Sequence, residues 1–143
     1  MQAVDDGFSR SAWSETQSFI IDTVAPEVSS FTLSRAELGI GQTVTLAIGF
    51  LDEHSGMDGG TAPTVEAIIG DQSFTFEQLQ FTGATWSGQL TVDTVMPSGS
   101  ATVRIAGAID GKSNVMAVFD TIEVFTLDTI RPAITGATPV MAA

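Results

Sequence analysis

The chain contains no cysteine in its 143 residues. That excludes a disulfide scaffold and thiolate metal sites, and it leaves the redox compartment open. Basic residues are scarce: 5 Lys and Arg stand against 17 Asp and Glu, for a formal charge of −12. Such a charge repels phosphate backbones, so nucleic acid is not an expected partner. It also works against anionic membrane surfaces. No run is long and apolar enough to span a bilayer, so direct membrane insertion is not expected, and no signal peptide follows Met1. Histidine is nearly absent. His54 alone supplies no partner set for a hydrolytic triad, and no Gly-x-Ser-x-Gly elbow occurs. The run Gly107 to Ser113 falls one residue short of a phosphate loop and leads into a strand rather than a helix N-terminus. Carboxylate pairs without a cleft to raise one pKa are surface charge. No catalytic residue is assigned, and an enzyme is not expected.

What the chain does have is apolar mass: 43% hydrophobic residues, nine Phe and two Trp, enough for a real core in one domain with flanking segments. The acidic balance suits solubility, cation binding and salty surroundings. A mean hydropathy of +0.27 argues against a classical halophile composition.

One stretch occurs twice. Phe19-Ile20-Ile21-Asp22-Thr23-Val24-Ala25-Pro26 returns as Phe125-Thr126-Leu127-Asp128-Thr129-Ile130-Arg131-Pro132, with the two Asp residues 106 positions apart. Upstream, Ala3-Val4-Asp5 and its polar turn (Asp5-Asp6-Gly7) loosely match Ala108-Ile109-Asp110 and the turn to Asn114. Self-similarity at a spacing near one small β-domain is the mark of a tandem array. The expected organisation is a tail strand of a preceding repeat, or a leader, over 1–21; one whole repeat over 22–130; and the start of the next repeat, or a tail, over 131–143. Met1 opens in the middle of a repeat unit, so any localisation signal is expected to lie outside this stretch.

The repeat itself reads as all β. A first short strand is expected over Ser30 to Ser34, after a leader strand over Ser14 to Ile21. Gln42 to Phe50 places Val44, Leu46, Ile48 and Phe50 on one face, the period-two pattern of a half-buried antiparallel strand. A polar turn runs from Leu51 to Pro63, and Thr64 to Ile69 is the next strand. Ser73 to Phe81 follows, with a bulge or one helical turn around Glu77-Gln78. Thr85 to Val92 and Ala101 to Ile109 come next. A long last strand spans Val115 to Leu127, with its apolar phase slipping between Val118 and Phe125. About seven strands at such intervals, with no useful helical period, predict an immunoglobulin-like two-sheet antiparallel β-sandwich.

The chain resembles the bacterial immunoglobulin-like (Big-type) tandem repeats of large secreted adhesins and other cell-surface proteins. The resemblance is carried by Gly41-Gln42-Thr43-Val44-Thr45-Leu46, by Ala84-Thr85-Trp86-Ser87-Gly88, and by Asp110-Gly111-Lys112-Ser113-Asn114, which is similar to the family's Asp-x-x-Gly-Asn turn. The Asp-Thr-x-x-Pro junctions at Asp22 and Asp128 resemble the family's inter-repeat linkers, and the match covers 22–132. The chain departs from the pattern in the turn, where Gly111 and Asn114 are not adjacent. The resemblance implies an extracellular or cell-surface location, neighbouring repeats as partners, and a spacer or adhesive-stalk role, often rigidified by calcium between repeats.

The residues themselves nominate a cation site. In an immunoglobulin-type sandwich, the loop after the second strand and the loop before the last strand lie at the pole where the chain comes in. Asp52, Glu53 and Asp58 would meet Asp110 there, with Asp22 arriving in the linker and Asp128 as its counterpart at the far junction. Calcium takes six to eight hard oxygens at about 2.3–2.6 Å, whereas an imidazole such as His54 suits transition metals. The plainer alternatives are a solvated acidic pole, and Asp side chains that fix turns through nearby backbone. Pro26 and Pro132 stiffen the linkers by themselves. Two other readings stay open. Trp13 and Trp86 could stack on a glycan in a carbohydrate-binding module, although Trp86 at a strand start reads as core. Residues 1–21 could complete a second subunit by strand addition, giving a homo-oligomeric fibre.

Overall fold

The computed structural model describes residues 4, 6–7, 11–136 and 140. Among them there is no helix, and ten strands form: β1 (Glu27–Leu33), β2 (Glu37–Gly39), β3 (Thr43–Leu51), β4 (Thr64–Ile69), β5 (Gln72–Thr75), β6 (Glu77–Thr82), β7 (Thr85–Thr91), β8 (Gly99–Ala106), β9 (Phe119–Asp120) and β10 (Phe125–Asp128). One sheet has the order β1-β3-β7-β6; the other runs β2-β10-β8-β4-β5, with β9 also pairing β8. Pairing is antiparallel throughout except between β2 and β10. This is the immunoglobulin arrangement of four strands facing a second sheet built around its third, sixth and seventh principal strands.

The alternation of β3 sets the core. Val44, Leu46, Ile48 and Phe50 are buried, and β7 opposes them with Trp86 and Leu90. The facing sheet contributes Val65, Ala67 and Ile69 from β4, Ala101, Val103 and Ile105 from β8, and Phe125 and Leu127 from β10. Full burial of one such aliphatic side chain contributes about 1.5–3 kcal/mol, so the two inner faces supply the dominant favourable free energy.

Four expectations change. The single strand expected over Ser73 to Phe81 is two, β5 and β6, lying in different sheets. The chain crosses between them at Phe76, which is buried, and the irregularity comes two residues later, between Gln78 and Gln80. The long last strand is broken into a bridge at Val115, β9 and β10. Its phase slip is real: Val118 is exposed and Phe125 buried. Thr121 carries the break, because its Oγ1 accepts from Val103 N–H at 2.8 Å while its own N–H donates to Val103 O at 2.9 Å. β2, three residues long, is an added strand. The count is therefore ten rather than seven. Finally, no strand forms over Ser14 to Ile21, and every residue from Ser11 to Ile21 is exposed. Asp6 and Gly7 lie in a turn, but Asp5 and Ala3 of that expectation fall outside the described residues, as do 137–139 and 141–143 of the expected C-terminal tail.

Candidate functional site

Three loops converge at the end of β8 where the linker comes in. Gly111 N–H donates to Gly56 O at 2.8 Å and Asp58 N–H to Ile109 O at 2.8 Å, while Met57 and Asp110 form an antiparallel bridge. These bonds pin the loop after β3 against the turn after β8. Gly111 eases the approach: a Cβ there would lie 3.0 Å from Ser55 O, tighter than ordinary contact.

Within this frame each Asp is held by a turn. Asp52 Oδ1 accepts from the N–H groups of His54, Ser55 and Gly56 at 3.1, 2.7 and 2.8 Å. Asp110 is buried at 1% exposure. Its Oδ1 accepts from Lys112 N–H at 2.8 Å and Asn114 N–H at 2.7 Å, and its Oδ2 from Asn114 Nδ2–H at 2.6 Å. Ser113 closes the turn with a left-handed φ of 70°. Asp22, half-buried, accepts from Val24 N–H at 3.0 Å through Oδ1. Its carbonyl accepts a second bond from Asn114 Nδ2–H at 3.2 Å, which ties the linker to the turn.

Asp22, Asp52 and Asp110 bring one carboxylate oxygen each to within 4.8 Å of one another. In the same group of residues, Asp22 Oδ2 and Asp52 Oδ2 are buried and accept no hydrogen bond. A buried, unpartnered carboxylate oxygen is costly, and here two sit beside a third negative group. Calcium–oxygen distances of about 2.3–2.6 Å allow ligand oxygens to lie up to roughly 5 Å apart across the ion. The spacing and the all-oxygen donor set therefore fit calcium, and no imidazole belongs to the group.

The electrostatics have two opposing parts. The Asp52 carboxyl is held below the usual carboxylate range, chiefly by the Ser55 N–H, with burial and the Asp110 charge acting the other way. At Asp110 burial pushes the pKa up. Hydrogen bonds from Asn114, Lys112 and Ser55 more than offset it, so the net direction is down. A depressed folded-state pKa contributes stability that is present above the unfolded value near 3.9 and is lost as pH falls through the folded one. In EDTA the thermal midpoint of the wild-type chain is therefore expected to fall more steeply as pH drops below about 4 than that of Asp52→Asn, whose amide oxygen can keep the backbone bonds. Parallel pH curves would show that the Asp52 ionisation carries no such linkage.

The other expected ligands stand apart. Glu53 is exposed next to Asp52 and outside the group, and Asp58 instead turns back to accept from Gly60 N–H at 3.1 Å. Asp128 lies at the opposite end of β8, since its neighbour Leu127 pairs with Gly99. There it repeats the local geometry of Asp22, with Oδ1 accepting from Ile130 N–H at 3.1 Å. His54 contributes its backbone N–H to Asp52. Trp86 is buried and cannot be a sugar platform, whereas Trp13 is exposed. Asn114, whose ligand role the departure from the family turn puts in doubt, instead holds Asp110 and reaches the linker through its side-chain amide. No protein-family model matches the chain, and no curated protein matches it.

Proposed function

We propose that this chain is a non-enzymatic immunoglobulin-like repeat, similar to the Big-type repeats of bacterial surface proteins. It would serve as a spacer or stalk element in an extracellular or cell-surface adhesion protein, with neighbouring repeats as its partners. Calcium at the Asp22–Asp52–Asp110 cluster is the element that sets the stiffness of its junction. The observation that carries this reading is that the cluster draws one ligand from the incoming linker and two from loops of the sandwich body, with two carboxylate oxygens buried and unpartnered. Bound calcium would offset most of that charge and tie the linker to the body, and the buried Pro26 behind it limits bending. A fixed-length sandwich joined by restrained linkers transmits force and holds distance without chemistry.

The test is thermal unfolding in excess calcium and in EDTA. At free calcium about 100-fold above Kd, binding linkage adds about 2.7 kcal/mol, or on the order of 10 °C for a domain of this size. Asp22→Asn keeps an oxygen for the Val24 N–H and removes one of the crowded charges, so it is expected to abolish most of the calcium-dependent rise without lowering the EDTA midpoint. Superimposable wild-type curves in calcium and EDTA would remove the cation from the proposal.

A further inference from the structure

The two copies of the repeated stretch have opposite fates. Phe125 and Leu127 are 3% and 4% exposed in β10, between β8 and β2, while Phe19 and Ile21, each 106 residues earlier, are 82% and 73% exposed. Trp13, at 73%, precedes Phe119 of β9 by the same interval. The backbone leaves both copies in the same way, through an Asp whose Oδ1 accepts the N–H two residues on, at 3.0 Å for Asp22 and 3.1 Å for Asp128. The same local sequence with the same exit therefore forms a core strand in one place and presents Phe19, Ile20 and Ile21 to solvent in the other. A contiguous exposed apolar run with strand-forming residues marks a segment whose covering surface lies elsewhere.

We infer that residues 13–22 are the closing strands of a second sandwich of this same repeat type. In it, Phe19 and Ile21 enter the core between the strands equivalent to β8 and β2, and Trp13 takes the place of Phe119. The partner's chemistry is set by the copy on the page. It offers an antiparallel edge like Gly99 to Ala101, which pairs Phe125 to Leu127 here, and a parallel edge like Glu37 to Gly39. Between them lies an apolar floor. The exposed position 126 accepts Ile20 in place of Thr without entering that floor. The consequence for the array is mechanical. One short linker, Asp22 to Pro26, would connect the last core strand of one sandwich to the first strand of the next, so tension passes from strand to strand without a loose tether.

The experiment is a tandem chain in which residues 13–143 follow directly after residue 118 of an upstream copy, measured by scanning calorimetry in EDTA against the 143-residue chain. Unfolding enthalpy scales with folded residues, so the expected result is about twice the single-chain enthalpy. Phe19→Asp with Ile21→Asp at the junction is expected to return it to the single-chain value, because the upstream core is left open. A second join, residue 121 followed by Thr16, retains Phe119 to Thr121 and guards against a fault of the first splice. Single-chain enthalpy in both tandems, or full enthalpy that survives the double substitution, would overturn the inference. The proposal shares with the proposed function only the reading of the chain as a repeat unit. Because it is tested without calcium, a failed cation site cannot account for either outcome.

Discussion

Replacing Trp86 with alanine is expected to lower stability by about 3–5 kcal/mol, enough to remove a large part of the roughly 5–15 kcal/mol typical of such a domain. Trp86 is 1% exposed at the centre of its sheet, between β3 and β6, paired with Ile48 on one side and Phe81 on the other. Its ring meets Phe76 edge to face at 6.4 Å and 77°, and Nε1–H donates to Gln78 Oε1 at 3.1 Å. The indole also lies against Gly88, where any Cβ would run into the ring and approach Glu77 O at 2.8 Å. That glycine is fitted to the indole, so truncating Trp86 leaves a void that the backbone of its own strand cannot fill. Urea denaturation should show a lower midpoint at unchanged m. Gln78→Ala, which removes only the indole's hydrogen-bond acceptor, should cost about 1 kcal/mol. A loss from Trp86→Ala no larger than that would show that the indole does not wedge the two sheets.

The strands most legible in the sequence are those whose apolar residues face one sheet interior without interruption. β3 is the clearest: its even-numbered residues are buried just as the alternation from Val44 to Phe50 requires. β4 and β8 follow for the same reason. Legibility fails where tertiary pairing, rather than side-chain period, decides the element. β2 exists because Glu37 to Gly39 align in parallel with Thr126 to Asp128, and three residues carry no period of their own. Phe74 and Phe76 look like one alternating run, yet the chain changes sheets between them, because Phe76 packs on Trp86 while Phe74 stays with β5. The leader failed in the opposite sense. Its pattern is that of a strand, but a strand forms only where another strand lies alongside in register, and a local pattern does not supply one.

The cluster was half legible. Asp22, Asp52 and Asp110 could be gathered from the loop order of a sandwich, but so could Glu53 and Asp58. What separates them is backbone direction inside the loops: Asp52 faces a cradle of three N–H groups and Asp58 turns back on Gly60. Asn114 was hidden because its role depends on a left-handed Ser113, a residue type that seldom signals that conformation.

The sharpest division of labour within the cluster is expected at Asp110. In EDTA, Asp110→Ala should lower the thermal midpoint by roughly 10 °C, whereas Asp22→Asn, which removes one of the crowded charges, should not lower it. The reason is the number of donors each carboxylate serves. Asp110 satisfies Lys112 N–H, Asn114 N–H and the Asn114 side chain from a buried position, and the Asn114 amide is also what grips the Asp22 carbonyl. Removing the Asp110 carboxylate leaves these groups without their acceptor and loosens the linker at once. Asp22 serves one N–H, which an amide oxygen can still accept. Asp110→Asn should fall between the two, since it keeps one acceptor oxygen and places an N–H₂ against the Asn114 amide. If calcium binds as proposed, both Asp110→Ala and Asp22→Asn should lose the wild-type rise, so the pair separates a carboxylate that the turn depends on from one whose charge the proposed ion alone requires. Equal EDTA midpoints for Asp110→Ala and Asp22→Asn would mean that the turn stands without its carboxylate. The linker would then be anchored by Pro26 and β1 alone.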